Sequence, residues 1–482
     1  VFDLAFSGRT PFLNAMRTSK IICTLGPATE SPEMLAEMIK AGADIFRLNM
    51  SHATHDWVRT IVRNIRRVSA DLGSVTGILM DTQGPAIRTG DLKSKLNLKP
   101  GDIFEFTVRG SKSVEEYSVD VNYDGLVDDI HVGDTVLVDN GVMHMKVLEK
   151  NAKVIRCQVL TAGVLGSRRH INLPGVKVNL PPLTEKDLAD VELGASLGVD
   201  FVALSFCREA SDIIELKRVL REHGSEARTI AKIEDQHAVK YVNEIIRASD
   251  AVMIARGDLG IECNMEDLPI IQRRIIKKCI QIGRPVIVAT HMLESMIENP
   301  LPTRAEITDV ANAVYEQADA IMLSGETTVG KYPVDCVKIL DRVARRIAAS
   351  GGAGYAKDAI VDTTRLKTMK SAVTLANSFP DGKIVVFTRR GLMADNASHL
   401  RPEHSPIFAF SPSEDVVRRL ALNWNTHPIH MPFGLNPEHT IADAETLLMK
   451  RGLISKGDRL IILSDVQAGD ERFDSIQLRE VV

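Results

Sequence analysis

The feature that most limits how this chain can fold is a repeat of short runs rich in Ile, Val and Leu, each followed by polar residues and then a helical pattern. The runs fall at 20–24, 44–48, 77–81, 201–205, 229–233, 251–254, 286–289 and 320–323. Strands covered on both faces read as unbroken apolar stretches rather than as alternations, so eight such units predict an α/β chain built on a closed (β/α)8 TIM barrel. The helix signals agree. Ser31-Pro32-Glu33 supplies a cap and a first-position proline, and Ala41-Gly42 closes the same helix.

The gap between the third and fourth runs, from 81 to 201, breaks the rhythm. Between Gly84-Pro85 and Pro181-Pro182 the pattern changes to short strands with turns such as Pro100-Gly101-Asp102, Gly133-Asp134 and Asp139-Asn140-Gly141. An inserted small β-barrel is expected there, hinged at the C-terminal rim as a lid that excludes water. After a helix over 334–350, Gly351-Gly352-Ala353-Gly354 reads as a linker. Further apolar runs at 384–388, 407–410 and 460–464 predict a smaller α/β unit. The expected division is an N-terminal segment 1–18, a barrel over 19–84 and 183–350, a lid over 85–182 and a C-terminal α/β unit over 355–482.

A length of 482 residues asks for two or three domains. The net charge of −4 carries no basic excess, which argues against nucleic acid or an anionic membrane as the main partner. The six cysteines, scattered and mostly within apolar runs, read as reduced core thiols of a cytoplasmic protein. No window approaches the ~20 apolar residues of a membrane span, and the opening segment has no apolar core of signal-peptide length, so a soluble protein is expected.

Barrel chemistry sits just past the C-terminal ends of the strands. Those positions hold Arg47, Asn49 and Ser51, then Asp81 and Thr82, Ser205, Lys232 with Glu234, Arg256-Gly257-Asp258, Thr290, and Ser324-Gly325-Glu326. Lys232 and Glu234, two apart on a strand, project from one side. Fixed cations at Arg47, Arg88, Arg169 and Lys232, beside carboxylates suited to a hard divalent ion, fit phosphoryl transfer. Glu234 and Asp258 are the expected ligands of Mg²⁺ or Mn²⁺, and Lys232 is the group expected to follow the phosphoryl group. Arg47, Asn49 and Ser51 are expected to alternate along one extended face, with Asp81 and Thr82 completing an all-oxygen cation pocket.

Plainer readings stand beside these. Lys232 with Glu234 alone fits an ion pair closing one end of a barrel, and Arg256-Gly257-Asp258 alone reads as a turn. His291 is given no role, and Trp57, Trp424 and the cysteines read as packing residues. Thr388-Arg389-Arg390-Gly391 fits a phosphate cradle or an ordinary strand-to-helix turn.

Taken together, several motifs resemble the pyruvate kinase family along nearly the whole chain. They are Arg47-Leu48-Asn49-Met50-Ser51-His52, Asn172-Leu173-Pro174-Gly175, Ala231-Lys232-Ile233-Glu234, Ala255-Arg256-Gly257-Asp258-Leu259-Gly260 and Ala289-Thr290-His291-Met292-Leu293-Glu294-Ser295-Met296. The resemblance implies a glycolytic phosphotransferase acting on phosphoenolpyruvate and ADP, assembled as a homotetramer and open to a phosphorylated allosteric effector. It further implies that Arg47 and Lys232 hold phosphate, and that Thr290 with the amides near Ala255 and Gly257 holds the substrate carboxylate. Thr290 and Ser324 would help deliver a proton. Pro27, Asn49, His52, Arg88 and Arg169 would lie by the nucleotide, and Asn49, Ser51, Asp81 and Thr82 would bind K⁺. Ala86 stands where potassium-dependent relatives usually carry glutamate. The rival readings are a metal-dependent pyruvate or oxaloacetate lyase on a related barrel, and a non-catalytic metabolite-binding relative.

Overall fold

The computed structural model describes residues 16–113, 115–468 and 471–482, so the expected segment 1–18 lies mostly outside the described residues. Eight parallel strands close a barrel: β1 (Lys20–Thr24), β2 (Ile45–Asn49), β3 (Gly77–Asp81), β4 (Phe201–Leu204), β5 (Arg228–Ile233), β6 (Ala251–Ala255), β7 (Val286–Ala289) and β8 (Ala320–Leu323). Each strand pairs with its sequence neighbours, and β1 closes the ring against β8. Alternation sorts the side chains. Ile22, Ile45, Leu79, Phe201, Ile230, Met253, Ile287 and Met322 fill the interior, whereas Ile21, Phe46, Ile78, Val202 and Val252 face the surrounding helices. Ala421 and Leu422, from the C-terminal unit, pack into the same interior cluster and close the barrel's base.

The first helix, Pro32–Ala41, begins and ends as its sequence predicts. Ser31 Oγ accepts the Met34 amide at 3.2 Å, and Gly42, at φ 116°, returns its own amide to Met38 and Ile39.

The insertion between β3 and β4 is β structure around a core of its own. Its strands do not form one closed ring. They pair as a six-stranded sheet and a separate ribbon of Leu96–Leu98 with Gly163–Leu165, and around Arg88–Thr89 the pairing is reduced to isolated bridges with His170 and Val121. The C-terminal sheet runs Thr426–His430, Ile407–Ser411, Gly382–Phe387, Arg459–Ala468, Glu471–Glu480, with the last pair antiparallel. The two outer strands had no apolar run to announce them. Pro428 and the charged residues of the last strand suit edges, which need not be covered on both sides.

Two local expectations fail. The strand ends at Asn49, and Ser51 lies in a turn in which its amide donates to Asn49 Oδ1 at 3.2 Å, so the two residues do not alternate on an extended face. Arg256-Gly257-Asp258 is not a turn but the start of the helix Arg256–Glu262, with Asp258 in the first turn where the helix dipole favours a carboxylate.

Candidate active site

The C-terminal ends of β2, β3, β4 and β5 bring a buried charge network together. Asp81 is fully buried at the end of β3 and accepts Arg47 Nε at 2.7 Å and Ser205 Oγ at 3.2 Å. Lys232, projecting from β5, donates to Ser205 Oγ at 2.8 Å and lies 2.9 Å from Glu234 Oε1 and 3.3 Å from Asp81 Oδ1. Arg47 is also fixed by Thr24, whose hydroxyl accepts Nη1 at 3.0 Å. Every charge therefore has a partner, without which burial would be prohibitive.

The same geometry sets protonation. Burial pushes the Asp81 carboxyl up, but Lys232 and Arg47 outweigh it and hold the group below the usual carboxylate range. For Lys232, burial favours the neutral amine, yet Asp81 and Glu234 overcome it and raise the group above the ordinary lysine value. Glu234 goes the other way. Burial, reinforced by the nearby Asp258 charge, pushes it up to about 7 despite Lys232 and an amide hydrogen bond from Phe206 at 2.6 Å.

Above this network lies a cavity of about 320 Å³ lined by Arg47, Asn49, Ser51, Thr82, Lys232, Glu234 and Asp258 from the barrel, and by Arg88, Arg168 and Arg169 from the insertion. Cations thus face it from two sides. Arg169 is steadied by Asp139 at 3.3 Å, and Arg168 by Asp91 at 2.9 Å. Glu234 and Asp258 both reach this cavity, and their mutual repulsion is what a divalent ion would relieve. No group of three His, Cys, Asp or Glu side chains gathers among the described residues. That donor set fits Mg²⁺ or Mn²⁺, which take one or two carboxylates and complete their shell with water and substrate oxygens. The expected potassium set fits less well: Asp81 already serves two cations, and Thr82 Oγ1 accepts the Ser205 amide at 3.1 Å.

Ala255, Gly257, Thr290 and Ser324 stand at the next strand ends and are not part of this cavity's lining. The Gly257 amide donates to Thr290 Oγ1 at 2.7 Å, and that hydroxyl donates to the Ala289 carbonyl at 2.6 Å. Thr290 is held at φ 70°, a conformation that aims its side chain at the helix start. Ser324 Oγ is buried without a hydrogen-bond partner among the described residues. Pro27 and His52 are exposed and are not brought into the cavity. The sequence reading missed Thr24, Asp139 and Arg168. Only Arg168 carried a signal, being a second cation beside Arg169.

One buried carboxylate ties down both ends of the insertion. Asp187 Oδ1 accepts the amides of Gln83 at 2.9 Å and Gly84 at 3.1 Å, where the chain leaves the barrel. Its Oδ2 accepts the amide of Thr184 at 2.9 Å and its hydroxyl at 2.6 Å, where the chain returns. Gly84 must be glycine: at φ 72°, a Cβ would lie 2.9 Å from both Phe206 Cδ2 and Ser205 Cβ. Arg208 adds a second tie through the carbonyls of Val178 at 2.6 Å and Leu180 at 2.5 Å.

Comparison with known proteins agrees over both parts of the chain. A family profile described as "Pyruvate kinase, barrel domain" matches residues 16–337, and one described as "Pyruvate kinase, alpha/beta domain" matches residues 367–477. The chain is 40% identical over 468 residues to a chloroplastic pyruvate kinase isozyme G of Nicotiana tabacum, covering 95% of this chain and 81% of that one. It is 38% identical over 467 residues to a pyruvate kinase of Staphylococcus haemolyticus, covering 95% and 79%. A crystal structure of a pyruvate kinase from Cryptosporidium parvum superposes with a TM-score of 0.91 at 33% identity, covering 96% of each chain.

Proposed function

The chain belongs to the pyruvate kinase family, phosphotransferases that pass the phosphoryl group of phosphoenolpyruvate to ADP, and on that premise we propose how its own residues divide the reaction. A terminal oxygen of ADP attacks phosphorus, the bond from phosphorus to the enol oxygen breaks, and the electron pair stays on the enolate. Lys232 and Arg47 hold the phosphoryl oxygens throughout, and their charge is worth most where charge spreads in the transition state. Glu234 and Asp258 would hold Mg²⁺ or Mn²⁺, which would supply neutralising charge for the transferring phosphoryl group. Thr290 and the amides near Ala255 and Gly257 orient the substrate carboxylate, for which Thr290 must turn from its bond to Ala289. Thr290 and Ser324 then pass a proton through water to the methylene carbon of the enolate. Arg88 and Arg169 meet the nucleotide phosphates, with Asn49, His52 and Pro27 on the nucleotide's side of the barrel rim. No step is assigned to K⁺.

The observation that carries this reading is the meeting of Lys232, Glu234 and Asp258 in one cavity beneath the arginines of the insertion. We read 85–182 as a lid on the barrel (19–84 and 183–350), 355–482 as a regulatory unit open to a phosphorylated effector, and the working assembly as a homotetramer in the cytoplasm. Among the described residues no helix is long and apolar enough to cross a membrane. A coupled assay tests the chemistry: ATP and pyruvate must appear together, and only when phosphoenolpyruvate, ADP and Mg²⁺ are all present. Pyruvate released without ATP would favour a lyase.

A further inference from the structure

The chain leaving β4 makes a corner, Ser205-Phe206, that touches both charged side chains of the β5 end. Ser205 is 3% exposed. Its amide donates to Thr82 Oγ1 at 3.1 Å and its hydroxyl to the Thr82 carbonyl at 2.7 Å, with Asp81 Oδ1 the more distant alternative at 3.2 Å. The hydroxyl oxygen then accepts Lys232 Nζ at 2.8 Å. Phe206, at φ 52°, turns the backbone so that its amide donates to Glu234 Oε2 at 2.6 Å. The corner has little room to move, because a Cβ on Gly84 would lie 2.9 Å from Ser205 Cβ: the chain departing for the insertion packs directly against it. Two consecutive residues thus seat the cation and one of the expected metal carboxylates. Ser205 also lines the cavity that these groups share.

A lysine ammonium has three N–H donors and no acceptor, so its partners can be counted. Two contacts of Lys232 are close, at 2.8 Å to Ser205 Oγ and 2.9 Å to Glu234 Oε1, and the third, to Asp81 Oδ1, is longer at 3.3 Å. Asp81 also has a closer cation of its own in Arg47, whose Nε lies 2.7 Å away. The N–H that faces Asp81 is therefore the one that can turn to an incoming phosphoryl oxygen at least cost, while the other two stay in place. We infer that Ser205 is a positioning residue of the phosphotransfer reaction: its hydroxyl and Glu234 clamp the Lys232 ammonium so that the third N–H is presented to the transferring group. This rests on the phosphotransfer reading and extends it to how Lys232 is aimed. Without the hydroxyl, the flexible four-carbon stem lets the ammonium settle between Glu234 and Asp81, where two carboxylates consume its donors. Such a shift favours the resting enzyme over the transition state and so lowers the rate, whereas substrate binding keeps Arg47 and the carboxylate contacts.

Ser205→Ala, which removes a single oxygen, tests this on the full chain. Its kcat should fall ~10-fold, less than for loss of the lysine itself, with KM for phosphoenolpyruvate within about twofold of wild type. The affinity for Mn²⁺ alone, read from the electron paramagnetic resonance of the free ion, should also stay within about twofold, since Glu234 keeps the Phe206 amide. Ser205→Cys, whose thiol is a poorer acceptor, should fall between the two. A crystal structure of the alanine variant reads the clamp without turnover: Lys232 Nζ is expected to close on Asp81 from its 3.3 Å separation. A kcat within about twofold of wild type, a loss of Mn²⁺ affinity or a rise in KM in step with kcat, or an ammonium that stays where it is in the variant would overturn the proposal. A wild type that forms no ATP would instead sink the phosphotransfer reading, with the place of Lys232 in the variant still deciding the clamp.

Discussion

Replacing Lys232 by methionine should be felt twice, once in stability and once in rate. Its ammonium lies 2.9 Å from Glu234 and 3.3 Å from Asp81, all buried. Methionine replaces the stem but leaves Glu234 without its cation, while Asp81 keeps Arg47 at 2.7 Å. Removing one partner of a buried pair costs about 3–5 kcal/mol. That figure is an upper limit here, because Glu234 has an escape: its carboxyl, already pushed up to about 7, can take a proton. A carboxyl with a folded pKa above its unfolded value binds its proton more tightly in the folded state. The variant's deficit is therefore smallest in acid and grows as pH rises through 7 and beyond. In rate, the loss of one fixed charge at the transferring group costs ~10²–10³ in kcat, with KM for phosphoenolpyruvate changed only a few-fold. Urea unfolding on both sides of pH 7, with steady-state kinetics on the same preparations, measures both effects. A kcat within about threefold of wild type, or a stability loss that does not vary with pH, would refute the reasoning.

Other perturbations reach other parts of the structure. Burial, with help from Arg401, lowers the His399 pKa to about 4. The unfolded chain therefore takes up a proton near pH 6.5 that the folded chain refuses, and stability falls as pH drops from there towards 4; His399→Gln should flatten that slope by up to about 3 kcal/mol in urea melts. Asp187→Asn turns an amide donor towards the Thr184 N–H and strands one buried group, costing about 1–3 kcal/mol and raising KM for ADP more than it lowers kcat. Unchanged stability would show that the carboxylate does not hold the hinge. Ala86→Glu places an acid in the cavity facing Arg88 and should make turnover depend more on K⁺. Equal rates in sodium and potassium for both proteins would count against it.

The barrel was legible because each of its strands is buried on both faces, so Ile21-Ile22-Cys23 and Val286-Ile287-Val288 read as strands without help from their neighbours. The insertion announced itself by its turns, and Lys232 with Glu234 by strand alternation. What stayed hidden depends on contacts between distant segments. Nothing near Thr24 in sequence says that it meets Arg47, nor does Asp187 look other than a helix-capping residue until Gln83 and Gly84 fold onto it. Edge strands were lost for a different reason, since Thr426–His430 needs only partial cover and so carries no apolar run.

Because Asp187 grips the outgoing and the incoming chain with its two oxygens, the roughly one hundred residues between them leave and re-enter at a single point. Such an attachment works as a clasp: with Arg208 also holding the returning chain at Val178 and Leu180, the root of the appended body cannot slide along the rim. Lengthening, shortening or exchanging that body should leave the strand ends beneath it undisturbed, so that new architecture can be grafted at this clasp without re-aiming Lys232.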